Sequence, residues 1–405
     1  MKLSFFNLFL LICLTQAVLA ASINCLAVIA KKSQSHRIPI HSLSTPPPVQ
    51  DEAILAWCAA PMRYNNNLSG NNLHNMTVPS STELWIKVDR AVTVKSTTAN
   101  QEAAIGDLES IIKLIKQQQE STINLKSVGD SIIAVRPEIT NNPHDPANRQ
   151  KLGVFLYLAG DYEGAASEFR HVIALAPSSY VAYALLGQSL ADIGEHEAST
   201  IEFRRAIALA PTVAANHYLY AENLLGRGDI SEGINEYRRA IGIKPTANAW
   251  IGLAQSLIWA QDIDGAVKAA RQAVSEEPNS AQAHVILTKA LLLAGDLQAS
   301  ARTAREALLL NPNSALSHIA AGRSLFATGK ITEATEEFNQ AVSLDPLSAE
   351  ARNDLGYILY KRGDIINAIN EFRLALRLNP HLNEARNNLE IAIYGMAKHS
   401  SNNFK

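Results

Sequence analysis

The sequence predicts an all-α protein built as a solenoid of stacked helix-turn-helix repeats, and three observations predict it. Seven prolines, at 177, 211, 245, 278, 312, 346 and 380, recur at steps of 34, 34, 33, 34, 34 and 34 residues. Small and aromatic residues fall into columns on the same period, and a glycine recurs midway through all but one of the seven units. A fixed period in this range is the mark of a repeat architecture, in which each unit buries its faces on its neighbours.

Counting each proline as position 32 gives every column a physical cause. Position 8 holds Gly153, Gly187, Ala221, Ala254, Thr288, Gly322 and Gly356; position 20 holds Ala165, Ser199, Gly233, Ala266, Ser300, Ala334 and Ala368. Small side chains at both let two antiparallel helices approach closely. Position 24 holds Phe169, Phe203, Tyr237, Ala270, Ala304, Phe338 and Phe372, whose aromatics are expected to fill the space toward the next helix. Glycine at position 15 suits a left-handed turn after the first helix, with Gln261 the exception, and Asp161, Asp229, Asp296 and Asp364 follow as helix N-terminal residues. The proline ends the second helix, because the residue before it is pushed out of the helical region.

With these columns, residues 146–380 resemble the tetratricopeptide-repeat family, whose unit is a 34-residue helix-turn-helix with small residues at 8 and 20 and a terminal proline. The resemblance implies seven repeats in a right-handed superhelix whose first helices line the concave side. Repeat four departs from the pattern by one missing residue in its preceding turn and by Gln261, and repeat five by Thr288 and Ala304, where the superhelix is expected to bend or loosen. The family's groove positions map to Gln150, Val154, Tyr157, Gln188, Tyr218, Glu222, Gln255, Ile258, Trp259, Lys289, Arg323, Phe326, Asn353, Tyr357 and Tyr360. This aromatic and amide-rich set suits an extended peptide or a partner helix. Lys289 and Arg323, at position 9 of adjacent repeats and roughly 10 Å apart, are read as two solvated cations or as receivers of a carboxylate. The Lys and Asn set by which some family members hold chaperone tails is missing, so a chaperone C-terminus is not expected.

Outside the repeats the chain is less specific. Met1 and Lys2 precede an uncharged stretch with an apolar run from Phe5 to Leu14 and small residues at Ala20 and Ala21. Residues 1–20 read first as a signal peptide cleaved there, and second as a retained membrane anchor. Residues 21–82, with Pro46-Pro47-Pro48 and an Asn-rich stretch, read as irregular linker, and Cys25 and Cys58 could pair there in an oxidising compartment or remain free thiols. Residues 83–145 read as a helical lead-in or N-terminal cap, with Ile105, Leu108, Ile111, Ile112 and Ile115 on one face and Pro137 interrupting the last helix. Residues 381–398 read as a capping helix, polar on its outer side and packing through Leu389, Ile391, Ile393 and Tyr394, followed by a 399–405 tail.

Several functions are disfavoured. A formal charge of -2, from 36 basic and 38 acidic residues, gives no broad nucleic-acid surface. No metal-ligand spacing, nucleotide loop or nucleophile elbow occurs, so neither metal nor cofactor is expected. His217, His284 and His318 share position 4, which indicates a common packing or surface role. The Arg-Gly-Asp triplets at 227–229 and 362–364 fall in the structural turn and are not read as adhesion sites. The leading expectation is a non-enzymatic protein- or peptide-binding scaffold, exported or membrane-anchored, that supports an envelope or secretion complex. The alternatives are a repeat array guiding substrates to a small catalytic domain within residues 31–140, and a self-assembling structural protein.

Overall fold

The computed structural model describes residues 125–402 together with Leu108, Ile111 and Ile112, and every regular element among them is an α-helix. Helix α1 (Leu125–Asn141) precedes seven helix pairs. These are α2 (Pro146–Leu158) with α3 (Tyr162–Leu175), α4 (Tyr180–Ile193) with α5 (His196–Leu209), α6 (Ala214–Arg227) with α7 (Ile230–Ile243), and α8 (Ala247–Trp259) with α9 (Ile263–Glu276). They continue as α10 (Ala281–Leu293) with α11 (Leu297–Leu310), α12 (Ala315–Ala327) with α13 (Ile331–Leu344), and α14 (Ala349–Lys361) with α15 (Ile365–Leu378), and α16 (Asn383–Asn402) closes the series. The result is an all-α solenoid. Each helix packs on its sequence neighbours, and successive first helices also touch, whereas successive second helices make no comparable contact.

The columns explain the packing, with one change. The position-24 aromatic lies on the position-8 glycine of its own repeat rather than reaching the next helix. A Cβ on Gly153 would sit 2.6 Å from Phe169, and one on Gly322 2.6 Å from Phe338, closer than any real side chain comes. Phe169, Phe203, Phe338 and Phe372 are fully buried, each contributing about 1.5–3 kcal/mol of burial. Repeat three is the exception. Ala221 occupies the glycine's place, and Tyr237 reaches forward to Gly252 on α8, where a Cβ would lie 2.3 Å from its ring. In repeat five Thr288 and Ala304 are both buried, and the Thr288 hydroxyl is satisfied by His284 O at 2.8 Å and Thr303 Oγ1 at 2.9 Å, so the site is packed rather than loosened.

The turns follow the glycine column. Gly160, Gly194, Gly228, Gly295, Gly329 and Gly363 all have positive φ, between 78° and 93°, and Gln261 adopts the same region at 63°. The side chains of Asp161, Asp296 and Asp364 accept the expected capping hydrogen bonds at the second helices. Asp229 does not cap. It pairs with Arg227 Nε at 3.1 Å across the turn, which accounts for that Arg-Gly-Asp triplet. The first helices have caps of their own at Ser179, Thr246, Ser280, Ser314 and Ser348.

Both ends differ from expectation. Helix α1 runs through Pro137, which lies on the solvent side, where a carbonyl deprived of its partner can turn to water. Leu108, Ile111 and Ile112 are buried in the core cluster that includes Val128 and Val135 of α1. On α16, Leu389 packs, but Ile391, Ile393 and Tyr394 are 51%, 40% and 73% exposed. The buried side of α16 runs instead through Ala385, Leu389 and Ala392, so its outer face is mixed rather than polar. The leader, Cys25, Cys58, the 21–82 linker and the final residues of the tail lie outside the described residues. No helix among the described residues is long and apolar enough to cross a membrane.

Candidate functional site

The first helices bring the mapped side chains onto one face in three groups. At the start, the Tyr157 hydroxyl of α2 donates to the Asp192 carboxylate of α4, and Gln188 Nε2 donates to the same oxygen at 3.1 Å. Burial and then Asp192 push the Tyr157 phenol well above its usual value, so it stays protonated and donating. Gln150 and Val154 lie beneath, both buried.

In the middle, Tyr218 packs edge-on against Tyr237 with ring centroids 5.8 Å apart, and the Tyr237 hydroxyl donates to Glu222. Burial and then Glu222 raise the Tyr237 phenol well above its usual value. Glu222 is exposed. One repeat on, Gln255 and Trp259 lie one turn apart on α8, both half-buried, with Ile258 buried between them. Gln255 Nε2 and Trp259 Nε1 are themselves buried and have no acceptor among the described residues. Trp250 Nε1, at position 4 of the same helix, also lacks one.

Toward the C-terminus the face becomes a buried ionic network. Arg323 donates through Nε to Asp354 Oδ2 at 2.8 Å and through Nη2 to Glu350 Oε1 at 2.6 Å. Lys289, 3% exposed, lies close enough to lower the Glu384 pKa, as Arg323 does. Burial nevertheless wins at Glu384, aided by Asp354 and Glu350, and pushes its carboxyl up to about 8. Asn353 accepts from Asn388 Nδ2 at 3.0 Å. Phe326 stands edge-on to Tyr357 at 5.5 Å, and Lys361 lies 5.3 Å from the Tyr357 ring.

Nine of the fifteen mapped groove residues are therefore buried. Gln150, Val154, Tyr157, Tyr218, Ile258, Lys289, Arg323, Asn353 and Tyr357 are each 8% exposed or less. The cause is the neighbouring first helix. Position 9 of one repeat faces positions 2 and 6 of the next, so Glu350 and Asp354 supply from within the carboxylates that Arg323 was expected to take from solvent or ligand. Glu222 remains exposed, and Gln188, Gln255, Trp259 and Phe326 are half-buried.

The position-4 column proves to be a repeated clamp. His217 Nε2, His284 Nε2 and His318 Nε2 lie 2.9 to 3.0 Å from the carbonyls of Pro211, Pro278 and Pro312. Arg352 and Arg386 donate likewise to Pro346 and Pro380. His217 and His318 also meet Glu236 and Glu337 at 2.7 and 2.6 Å, a pairing that raises both imidazoles above their usual value. Arg149 and Arg352 make the equivalent pairs with Glu168 and Glu371. Each clamp ties a helix to the preceding turn, and those of Arg149, His217, His318 and Arg352 also tie a first helix to its own second helix. Trp250 falls in this column after the shortened turn, which explains its unaccepted donor. Among the described residues no group of three or more His, Cys, Asp or Glu could hold a metal.

Residues 151–214, 252–315 and 319–383 match the tetratricopeptide repeat model, and the helix pairs within them are tetratricopeptide repeats. The fold is similar to that of a tetratricopeptide repeat protein from Parabacteroides merdae, with 14% identity, 61% of this chain and 98% of that one covered, and a TM-score of 0.53. It is similar to yeast Tom70, with 16% identity over 80% of this chain and 70% of that one and a TM-score of 0.52. A chain of the Cut9-Hcn1 hetero-tetramer of the APC/C gives 15% identity, 78% and 67% coverage and a TM-score of 0.53. At such identities the likeness is one of fold. No curated protein matches the chain in sequence.

Proposed function

We propose that the chain is a non-enzymatic scaffold that binds a protein or peptide in a concave groove lined by its first helices, and that it is exported or membrane-anchored and supports assembly of an envelope or secretion complex. The observation that carries the binding site is on α8. Gln255 and Trp259 stand one turn apart with side chains only half-buried, while the polar groups of the C-terminal network are paired internally. A partly exposed amide and indole offer polar and apolar contact area to a bound segment. Glu222 on the preceding first helix adds an exposed charge to the same face. The compartment rests on the Phe5–Leu14 apolar run and the small residues that follow it.

The test is capture of partners from envelope and soluble fractions by wild type and by Gln255→Ala with Trp259→Ala. Loss of a specific envelope partner with retained folding supports the reading. Unchanged partners reject the groove, and partners confined to the soluble cytosolic fraction reject the compartment.

A further inference from the structure

The outward faces of the second helices carry a feature that the first-helix groove does not use. Position 25 is arginine in six of the seven repeats, Arg170, Arg204, Arg238, Arg271, Arg305 and Arg373, and all six are exposed. In repeats two to five a second cation stands one turn before or one residue after, namely Arg205, Arg239, Lys268 and Arg302. These eight cations on α5, α7, α9 and α11 belong to a chain whose net charge is only -2. The band stops at repeat six, where Asn339 holds the position and Glu336 and Glu337 precede it.

Local structure does not account for the band. The helix dipole favours cations in the last turn, yet none of these four helices has a basic residue there. Arg205 and Arg239 pair with Glu202 and Glu236, and Arg204 donates to the Tyr220 hydroxyl. Arg238, Lys268, Arg271, Arg302 and Arg305 make no ion pair or hydrogen bond with any described residue. Exposed apolar side chains border the band, with Ile201 at 51% and Leu309 at 70% exposure.

We propose that this band on the second helices of repeats two to five docks an acidic, extended polypeptide segment. Charge complementarity sets the sign of the partner. Successive second helices stand apart, by at least a helix-packing distance of roughly 10 Å. An extended chain advances about 10 Å in three residues, so carboxylates spaced three or more residues apart can reach successive rungs. A strand can follow rungs that turn with the stack, whereas a flat bilayer reaches few of them at once. Guanidinium groups that are exposed and uncommitted take carboxylates in the bidentate fork.

The experiment uses the full chain and a synthetic peptide with Glu at every third position, its Gln counterpart, and phosphatidylcholine vesicles with and without phosphatidylserine. Two triple variants, Arg238→Glu with Arg271→Glu and Arg305→Glu, and the same three positions changed to Gln, are checked for unchanged helicity. Gln255→Ala with Trp259→Ala serves as the first-helix control. The expected result is binding of the Glu peptide that weakens with salt, falls roughly tenfold or more in both triple variants, and persists in the control. Equal binding by the triple variants, binding lost only in the control, no preference for Glu over Gln, or binding to the phosphatidylserine vesicles without binding to the peptide overturns the proposal.

Discussion

Arg323 on α12 and Asp354 on α14 are joined across a repeat boundary, Nε to Oδ2 at 2.8 Å, with side chains only 3% and 0% exposed. A pair this deep stabilises less by its own attraction than by the penalty that follows if one member is removed. Arg323→Ala removes the guanidinium from which both Asp354 and Glu350 accept, and is expected to cost about 3–5 kcal/mol. Denaturant unfolding measures the loss, and hydrogen exchange should place it in α12 to α16. Arg323→Met combined with Asp354→Leu should recover much of it, because a matched apolar pair carries no desolvation cost.

Glu384 gives the same network a dependence on pH. Its folded pKa of about 8 lies far above the unfolded value of about 4.3, so the protonated form is the one that suits the fold. Its favourable contribution is complete at acid pH and is lost as the pH rises through about 8. Glu384→Gln should melt with wild type near pH 4 and above it near pH 9. Equal melting temperatures at both pH values would contradict the assignment.

His217 and His318 work in the same direction through a different cause. Hydrogen bonds donated to Glu236 and Glu337 raise both imidazoles, so protonation favours the folded chain. The stabilisation is full below the unfolded pKa of about 6.5 and fades as pH rises through the raised values. The double variant His217→Gln with His318→Gln should lose most of its deficit relative to wild type by pH 9, as followed by thermal unfolding across pH.

Gln261 holds the left-handed turn that six glycines hold elsewhere. Gln261→Gly removes a strain of roughly 1–2 kcal/mol and should stabilise the chain, in part offset by the freedom gained when unfolded. Gly295→Ala at the equivalent turn should do the reverse. A destabilised Gln261→Gly protein would contradict this account of the turn.

Gly252 is where Tyr237 crosses into the next repeat. Gly252→Ala should cost about 1–3 kcal/mol through overpacking against a fully buried ring, whereas Gly226→Ala, whose nearest contact is 3.7 Å away, should be close to neutral apart from helix propensity. Thermal unfolding of the two variants side by side makes the comparison.

The repeats were legible because their causes are local. A proline every 33 or 34 residues, a glycine in six of the seven turns and small residues at fixed positions act within one unit, and each stands where the period puts it. The serine caps at 179, 280, 314 and 348 follow the same logic and were readable two residues after each proline. Exposure along the first helices was not readable from single columns, because it depends on what the next repeat presents. Arg323 is buried because Glu350 and Asp354 occur 27 and 31 residues later, a pairing visible only when adjacent repeats are laid together. Tyr237 likewise departs from its column because Ala221 closes its own pocket and Gly252 opens the next.

The groove is tested most directly by placing a photo-crosslinking side chain, in separate proteins, at Gln188, Gln255 and Trp259 on the first helices and at Gln272 and Ser343 on the second helices. The account predicts that one partner is trapped from the first-helix positions, most strongly from Gln255 and Trp259, and is competed by excess unlabelled protein. Trapping of that partner equally from both faces, or only from the second helices, would contradict it.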